Sequence, residues 1–224
     1  PCHACPDRGE HERAQRRIDR VATETARLGA DVERRSGSLV RAFERLLAVL
    51  RERGHLDAGD APTATGRLLA GIHGATDLLA TEALSGGLLA SLSPAETAAA
   101  AALLMHEPRR DDAPIPDRAP TPRLDTLLAD LDGLAADLRE VERRHGAPPL
   151  RPLDPGLMAA AHAWATGAGL EEAIGETGMT GGDFVRGMKQ CIDLLGQLRD
   201  VTGGEARRAL ADGARALQRG IVDA

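Results

Sequence analysis

The sequence is short of aromatic residues and almost devoid of lysine. Its 224 residues include no tyrosine, two phenylalanines and one tryptophan, and Lys189 is the sole lysine among 28 basic residues. All-β sandwiches and barrels rely on aromatic and β-branched side chains, so this composition disfavours them. It also lacks the stacking platform of a typical single-strand nucleic-acid binder. The core must therefore be built from Leu, Ala, Val and Ile.

Long apolar runs and a cysteine framework are missing as well. No stretch approaches the roughly 20 apolar residues of a membrane span, and no basic-then-apolar leader opens the sequence. Three cysteines in a chain of this length do not form a disulfide scaffold. A net charge of −6 argues against indiscriminate nucleic-acid binding. These features predict a cytoplasmic protein without membrane contact.

Familiar catalytic motifs are absent. A phosphate-binding G-x-x-x-x-G-K-S/T loop needs a lysine followed by Ser or Thr, and Lys189 is followed by Gln190. There is no acidic D-E-x-H box for Mg²⁺ and no G-x-S-x-G elbow. Neither His-Glu dipeptide has the second histidine of a metalloprotease helix. We therefore expect the chain alone to be catalytically inactive and to hold no cofactor of its own.

The first residues have the spacing of metal ligands. Cys2 and Cys5 place two thiols where one Zn²⁺ could bind both, and His11 is a third candidate ligand. A structural zinc site needs four ligands, however, and Cys191 lies far away in the sequence. The two interpretations are a metal site and reduced cysteines that cap the next helix, and the second is favoured.

Helical periodicity dominates the rest of the chain and predicts an all-α bundle. Residues 9–35 form a long, charged arm helix with a narrow apolar stripe, and Ser36-Gly37-Ser38 predicts a break after it. The domains are accordingly residues 1–36, with the cysteines and the arm, and 37–224, the bundle. A turn or two short strands is expected at 54–64, and a proline-rich linker at 107–122. Helices are predicted at 38–53, 65–74, 76–85, from Ser93 to Met105, and at 123–145, 156–166, 169–177, 181–200 and 204–222.

The segment 181–200 has the most informative polar pattern. Its expected apolar face consists of Val185, Met188, Ile192, Leu195 and Leu198. Its polar stripe consists of Arg186, Lys189, Gln190, Asp193 and Gln197. Arginine and lysine donate to phosphate oxygens, and glutamine can bond base or ribose edges. On periodicity alone, a solvated outer face is the favoured explanation of the stripe.

Short motifs spread along the chain carry a resemblance. They are Pro-Cys-His-x-Cys-Pro-Asp-Arg at 1–8, Gly37-Ser38-Leu39, Arg53-Gly54-His55-Leu56, the segments 65–70, 77–82, 92–96 and 164–167, and Gly-Asp-Phe-Val-Arg-x-x-Lys-Gln-x-Ile-Asp-Leu-Leu-x-Gln at 182–197. In this order they resemble the C-terminal (DSHCT) helical domain of the superkiller-like DExH RNA helicases, in particular the bacterial HelY type. The chain departs from that pattern at Gly187, where tryptophan is usual, at Gly196, where a polar residue is usual, and at His55, where tyrosine is usual.

The resemblance implies an accessory domain of an ATP-dependent RNA helicase. The motor domains, with their ATP and Mg²⁺, would lie outside these residues, and the bundle would pack on them. The signature would place Arg186 toward single-stranded RNA, with Lys189, Gln190 and Asp193 on or beside the same face. These residues would grip the strand rather than react with it, and binding by the chain alone would be weak and salt-sensitive.

Two other functions compete with this one. A protein–protein interaction module would use the arm at 9–35 to dock a partner helix. A ligand-sensing regulator would need a basic DNA-reading helix. The best candidate for that helix, residues 65–86, has one arginine and an acidic end, which disfavours the regulator.

Overall fold

The described part of the protein is helical. The computed structural model describes residues 5–105, 119–175 and 179–223, with 30–37 described by their backbone alone. These residues contain no β-strand, and one isolated antiparallel bridge joins Leu56 to Pro62. The all-α prediction is confirmed, and the 54–64 element is a turn with a single bridge rather than two strands. The internal contacts divide the chain into two units, Pro1–Leu46 and Leu47–Ala224.

The helices follow the chain in simple order, with 3-10 turns before α6 and after α9. They are α1 (Arg8–Glu52), α2 (Ala64–Leu69), α3 (Asp77–Ser85), α4 (Pro94–Met105), α5 (Pro122–His145), α6 (Met158–Ala165), α7 (Leu170–Ile174), α8 (Gly181–Val201) and α9 (Gly204–Leu217). The 3-10 turns are Pro155–Leu157 and Gly220–Val222.

Helix α1 continues through the segment where the sequence predicted a break. It runs for 45 residues and includes Ser36-Gly37-Ser38. A glycine inside a helix costs about 1 kcal/mol relative to alanine, which is too little to end a helix that extends on both sides. The predicted break is therefore wrong, and the expected helix at 38–53 is the last part of α1. The division into domains at residues 36 and 37 stays a prediction.

The expected linker at 107–122 lies mostly outside the described residues. Its last residue, Pro122, begins α5, so the predicted start at 123 is one residue late. Proline suits the first position of a helix because the N–H it lacks would have no intrahelical partner there. Thr121 is the N-cap, and its Oγ1 accepts a hydrogen bond from the Leu124 amide at 3.2 Å. The cap residue thus comes from the segment that was predicted as linker.

Helix α4 starts after Ser93, as the sequence predicted, and its start is a capping box. The Ser93 hydroxyl accepts from the Glu96 amide at 3.3 Å, and the Ser93 amide donates to Glu96 Oε2 at 3.0 Å. The other carboxylate oxygen of Glu96 accepts from the Thr121 hydroxyl at 2.7 Å. One carboxylate therefore joins the starts of α4 and α5, which the sequence did not reveal.

Helix α4 is the centre of the Leu47–Ala224 unit. It packs against α5, α6, α8 and α9, and the alanines of its run at 98–102 are all buried. Small side chains let neighbouring helices approach on every side, which suits a core with few aromatics. Gly213 of α9 shows how close this approach is, because a Cβ there would lie 2.6 Å from Thr97 Cγ2. Among the described residues, no helix is both long and apolar enough to cross a bilayer.

Two predicted helices end earlier than expected. Helix α2 stops at Leu69, and the expected helix at 204–222 ends as α9 at Leu217. Gly71 and Gly74 follow α2 in the sequence. After α9, Gly220 has a φ of 51°, which the right-handed helix does not permit. The helix predicted at 169–177 is present as α7 but is shorter, because it ends at Ile174 and Gly175 follows with a φ of 50°.

Candidate nucleic-acid interface

Helix α8 is held by a cap at its start and by aromatic packing in its first turn. Thr180 is the N-cap, and its Oγ1 accepts from the Asp183 amide at 3.2 Å. Phe184 is fully buried and meets Trp164 edge to face, with ring centroids 5.3 Å apart. The Trp164 indole N–H donates to the Leu217 carbonyl at 3.0 Å. Helix α8 is therefore positioned by α6 and by the end of α9.

The buried face of α8 is rotated from the one that the sequence predicted. Met188, Leu195 and Leu198 are buried as expected, but Val185 and Ile192 are only half-buried. The residues that complete the buried face are Phe184, Cys191 and Leu194. The rotation arises because the large ring of Phe184 takes the contact with Trp164. Burial also raises the pKa of the Cys191 thiol to about 12, so this cysteine is a core residue and not a nucleophile.

The predicted polar stripe lies on the opposite, exposed face of α8. Arg186, Lys189, Gln190 and Asp193 are all exposed. Their spacing of three and four residues places them along one side of the helix. The structure thus presents all four predicted RNA-binding residues on one surface.

Arg186 and Lys189 are unpaired cations in the described part of the chain: no carboxylate there lies within ion-pair distance of either. In contrast, Arg199 contacts Asp200 at 2.9 Å and Arg215 contacts Asp212 at 2.6 Å. A free cation can bind an anion without first losing an ion pair. Arg186 and Lys189 therefore remain accessible to an anion.

Asp193 has a structural partner on the same surface. Its Oδ2 accepts from Gln197 Nε2 at 2.7 Å, and Gln197 Oε1 accepts from the His73 backbone N–H at 2.7 Å. Gln197 thereby connects α8 to the turn that follows α2. Asp193 orients this bridge and, as a carboxylate, is unsuited to phosphate contact.

Gly187, a departure from the family pattern, has a packing role. Its ideal Cβ would lie 2.9 Å from Leu157 Cδ2 of the 3-10 turn before α6. Leu157 is buried at 2% exposure and occupies the space that a side chain at 187 would need. A larger residue at 187 would therefore require the end of the Leu157 side chain to move.

The metal candidates of the first unit are only partly described. Cys5 Sγ lies 3.8 Å from His11 Nδ1, so two of the three candidate ligands are neighbours, while Cys2 lies outside the described residues. Elsewhere in the described ranges, no group of three His, Cys, Asp or Glu side chains has the arrangement of a metal site. Two ligands do not complete a zinc site.

A groove between α8 and α9 escaped the sequence analysis. It has a volume of about 440 Å³ and adjoins the polar stripe at Asp193 and Gln197. Gly196, which the sequence marked only as a departure, lines it together with Ala211 and Ala214. Helix pairing across the turn at 202–203 creates this groove, and no pattern within a single helix could predict it.

Comparison with known proteins identifies the family. The model of the DSHCT (NUC185) domain matches residues 59–224. A protein named "Probable helicase HelY" from Mycobacterium leprae is 36% identical over 221 residues, covering 91% of this chain and 24% of its own length. Its namesake from Mycobacterium tuberculosis is 34% identical over 240 residues, covering 99% and 26%. The chain thus spans about a quarter of the length of these curated relatives. Because the family model matches most of the chain, the chain belongs to the DSHCT (NUC185) domain family.

Proposed function

We propose that the chain is an accessory domain of an ATP-dependent RNA helicase. In this role it packs on a motor that lies outside these residues, and the motor uses the ATP and Mg²⁺. The family and the names of the relatives support a helicase. We also propose a cytoplasmic location, because the relatives are from mycobacteria and the RNA of a bacterial cell lies in its cytoplasm.

We further propose that the exposed face of α8 contacts single-stranded RNA. The observation that carries this proposal is the unpaired pair Arg186 and Lys189 on an otherwise acidic chain. Three residues of helix separate them by about 4.5 Å along the axis, so both can reach the backbone of one strand. Gln190 is placed to bond a ribose or base edge beside them, and Asp193 supports the surface through Gln197.

Replacing Arg186 and Lys189 together with glutamine is expected to weaken RNA binding and to reduce its salt dependence. Each phosphate contact on a single strand contributes about 0.7 to the slope of log K against log salt. The double variant should therefore lose up to about 1.4 of that slope. Fluorescence anisotropy with a short single-stranded RNA, titrated at several salt concentrations, measures it.

Arg208→Gln is the matched control for this measurement. Arg208 is an exposed arginine on α9, and its replacement removes a positive charge without touching α8. The control should keep the slope of the unmodified chain. A control that lost half as much slope as the double variant, in proportion to the single charge it removes, would mean that net charge, and not the α8 face, governs binding.

The second candidate function is docking of a partner helix on α1, and one observation favours it. Among the described side chains of this helix, seven large apolar ones are exposed, between 48% and 73%: Ile18, Val21, Leu28, Leu39, Val40, Phe43 and Leu46. Clusters of exposed apolar side chains mark interaction sites in soluble proteins. The spacing of three and four residues fits another helix better than it fits a flat surface.

Leu28→Gln is expected to abolish docking of a helical partner on α1. Apolar docking persists at about 1 M salt, where the Debye length is only about 3 Å. Sedimentation of the chain with its partner at high salt measures the loss. Arg27→Gln is the control, because Arg27 is the exposed neighbour of Leu28 and a charged side chain. If the partner were lost in both variants or in neither, the apolar stripe would not be the docking surface.

A further inference from the structure

The groove between α8 and α9 has a floor of small residues. Gly196 contributes no side chain, and nothing lies within 4 Å of the position that its Cβ would take. Ala211 and Ala214 line the groove from α9. The volume of about 440 Å³ is sufficient for a planar ring system with its attached sugar. A ring placed on this floor would lose water from one face.

The rim of the groove carries hydrogen-bonding groups of both kinds. Asp193 uses Oδ2 for its bond with Gln197, so its Oδ1 is available as an acceptor. Arg215 donates to Asp212 through Nη1 and is 72% exposed, which leaves other N–H groups available. The side-chain amide of Gln218 makes no hydrogen bond within the described residues and is exposed. A planar ligand with donors and acceptors at its edge matches this rim.

The charges on the rim of the groove balance. Asp193 and Asp200 line it together with Arg199 and Arg215, and both guanidinium groups already pair with carboxylates, those of Asp200 and Asp212. A neutral nucleobase with in-plane donors and acceptors therefore fits this rim better than a phosphate does. The groove and the cationic pair therefore suit different parts of one nucleotide strand.

The groove also lies where a strand on α8 would deliver a base. Asp193 belongs both to the polar stripe and to the groove, and it lies about 10 Å along the helix axis from Arg186. The two aromatic residues of the Leu47–Ala224 unit, Trp164 and Phe184, are buried. Bases held by this unit thus have no exposed ring to stack on, and the groove is the alternative surface.

From these observations we propose that the α8–α9 groove receives a nucleobase of the single strand whose phosphates Arg186 and Lys189 hold. The proposal rests on the proposed RNA contact of α8. The floor at Gly196 and Ala211 covers one face of the base, while Asp193, Arg215 and Gln218 bond its edge. Because Gly196 has no side chain, it then leaves space for the bound base.

The experiment compares an RNA strand with a strand of the same length in which every nucleotide is abasic. Both carry the same phosphates, so the difference in affinity reports contacts to bases. The full chain is expected to bind the intact strand about fivefold to tenfold more tightly, toward the lower end of base-contact effects because no aromatic ring takes part. Gly196→Leu, which fills the groove, should bind both strands equally.

A second variant and a control protect this experiment from a folding artefact. Ala211→Leu fills the groove from α9 and should also remove the preference for the intact strand. Gly133→Leu makes the same chemical change on α5, where no atom lies within 4 Å of the added Cβ, and should keep the preference. Circular dichroism establishes that each variant is folded.

The two proposals fail in different ways. Equal affinity of the unmodified chain for intact and abasic strands would overturn the groove proposal and leave the phosphate contacts standing. Absence of binding to either strand would overturn the RNA contact itself, and the groove proposal with it. A preference that persists in both leucine variants would place the base contacts elsewhere.

Discussion

Gly66→Ala is expected to destabilise the Leu47–Ala224 unit by about 3 kcal/mol, at the upper end of the cost of overpacking. An alanine Cβ at this position in α2 would overlap the carbonyl oxygen of His55. That carbonyl cannot move away, because it accepts a hydrogen bond from the Thr63 amide at 3.0 Å. Thr63 in turn caps α2 by accepting from the Gly66 amide at 3.1 Å. The turn and the helix are therefore locked together around a position that has no room for a methyl group.

Thermal unfolding followed by circular dichroism measures the effect. In a protein of this size, 1 kcal/mol shifts the Tm by about 2–4 °C, so the Tm should fall by about 10 °C. Gly133→Ala is the matched control, since Gly133 lies in a helix with open space around it. It should gain up to about 1 kcal/mol from the better helix propensity of alanine. A Gly66→Ala variant as stable as the unmodified chain would mean that the contact with His55 is not tight.

The sequence predicted those parts of the fold that depend on local chemistry. The Ser93 cap, the start of α8 after Thr180 and the turn near residues 54–64 are encoded by a few neighbouring residues, and each was found in place. The break at Ser36-Gly37-Ser38 failed because a local preference of about 1 kcal/mol is small beside the helical continuation on both sides.

The parts that depend on tertiary packing could not be predicted. The rotation of the buried face of α8 follows from the contact between Phe184 and Trp164, two residues in different helices. By contrast, the exposed stripe of Arg186, Lys189, Gln190 and Asp193 could be predicted from the sequence, because charged and polar residues seldom lie in a core. The groove at Gly196 depends on how α9 packs against α8. The hydrophobic periodicity of a single helix does not encode that packing.

A buried ion-pair network is a further feature that the sequence patterns did not predict. Glu82 of α3 accepts a bidentate hydrogen bond from Arg53, with Nε at 2.8 Å from Oε1. His55 Nε2 lies 3.2 Å from the same oxygen, and His55 is 2% exposed. The three residues thus join the segment after α1 to α3. His55, where the family usually has tyrosine, belongs to this network.

The pKa of Glu82 in the folded protein is the result of opposing effects. Burial raises the pKa of Glu82. The hydrogen bonds from Arg53 and His55, together with the charge of Arg53, lower this pKa by a larger amount, so the net shift is downward. A carboxylate whose pKa is lower in the folded state stabilises the fold at pH values above its unfolded pKa, about 4.3. That stabilisation is lost as the pH falls through the folded pKa. The network therefore contributes fully at neutral pH and progressively less in acid.

Glu82→Gln is expected to lower the free energy of unfolding by about 2 kcal/mol at neutral pH, because Arg53 and His55 lose their charged partner in a largely buried site. The gap between the variant and the unmodified chain should narrow below about pH 4, where protonation of Glu82 removes the same interaction. Urea unfolding at neutral and acid pH measures both free energies. Glu140→Gln, which breaks the exposed pair with Arg143, should change stability little at either pH. A gap for Glu82→Gln that stayed constant with pH would show that packing, and not the carboxylate charge, stabilises this junction.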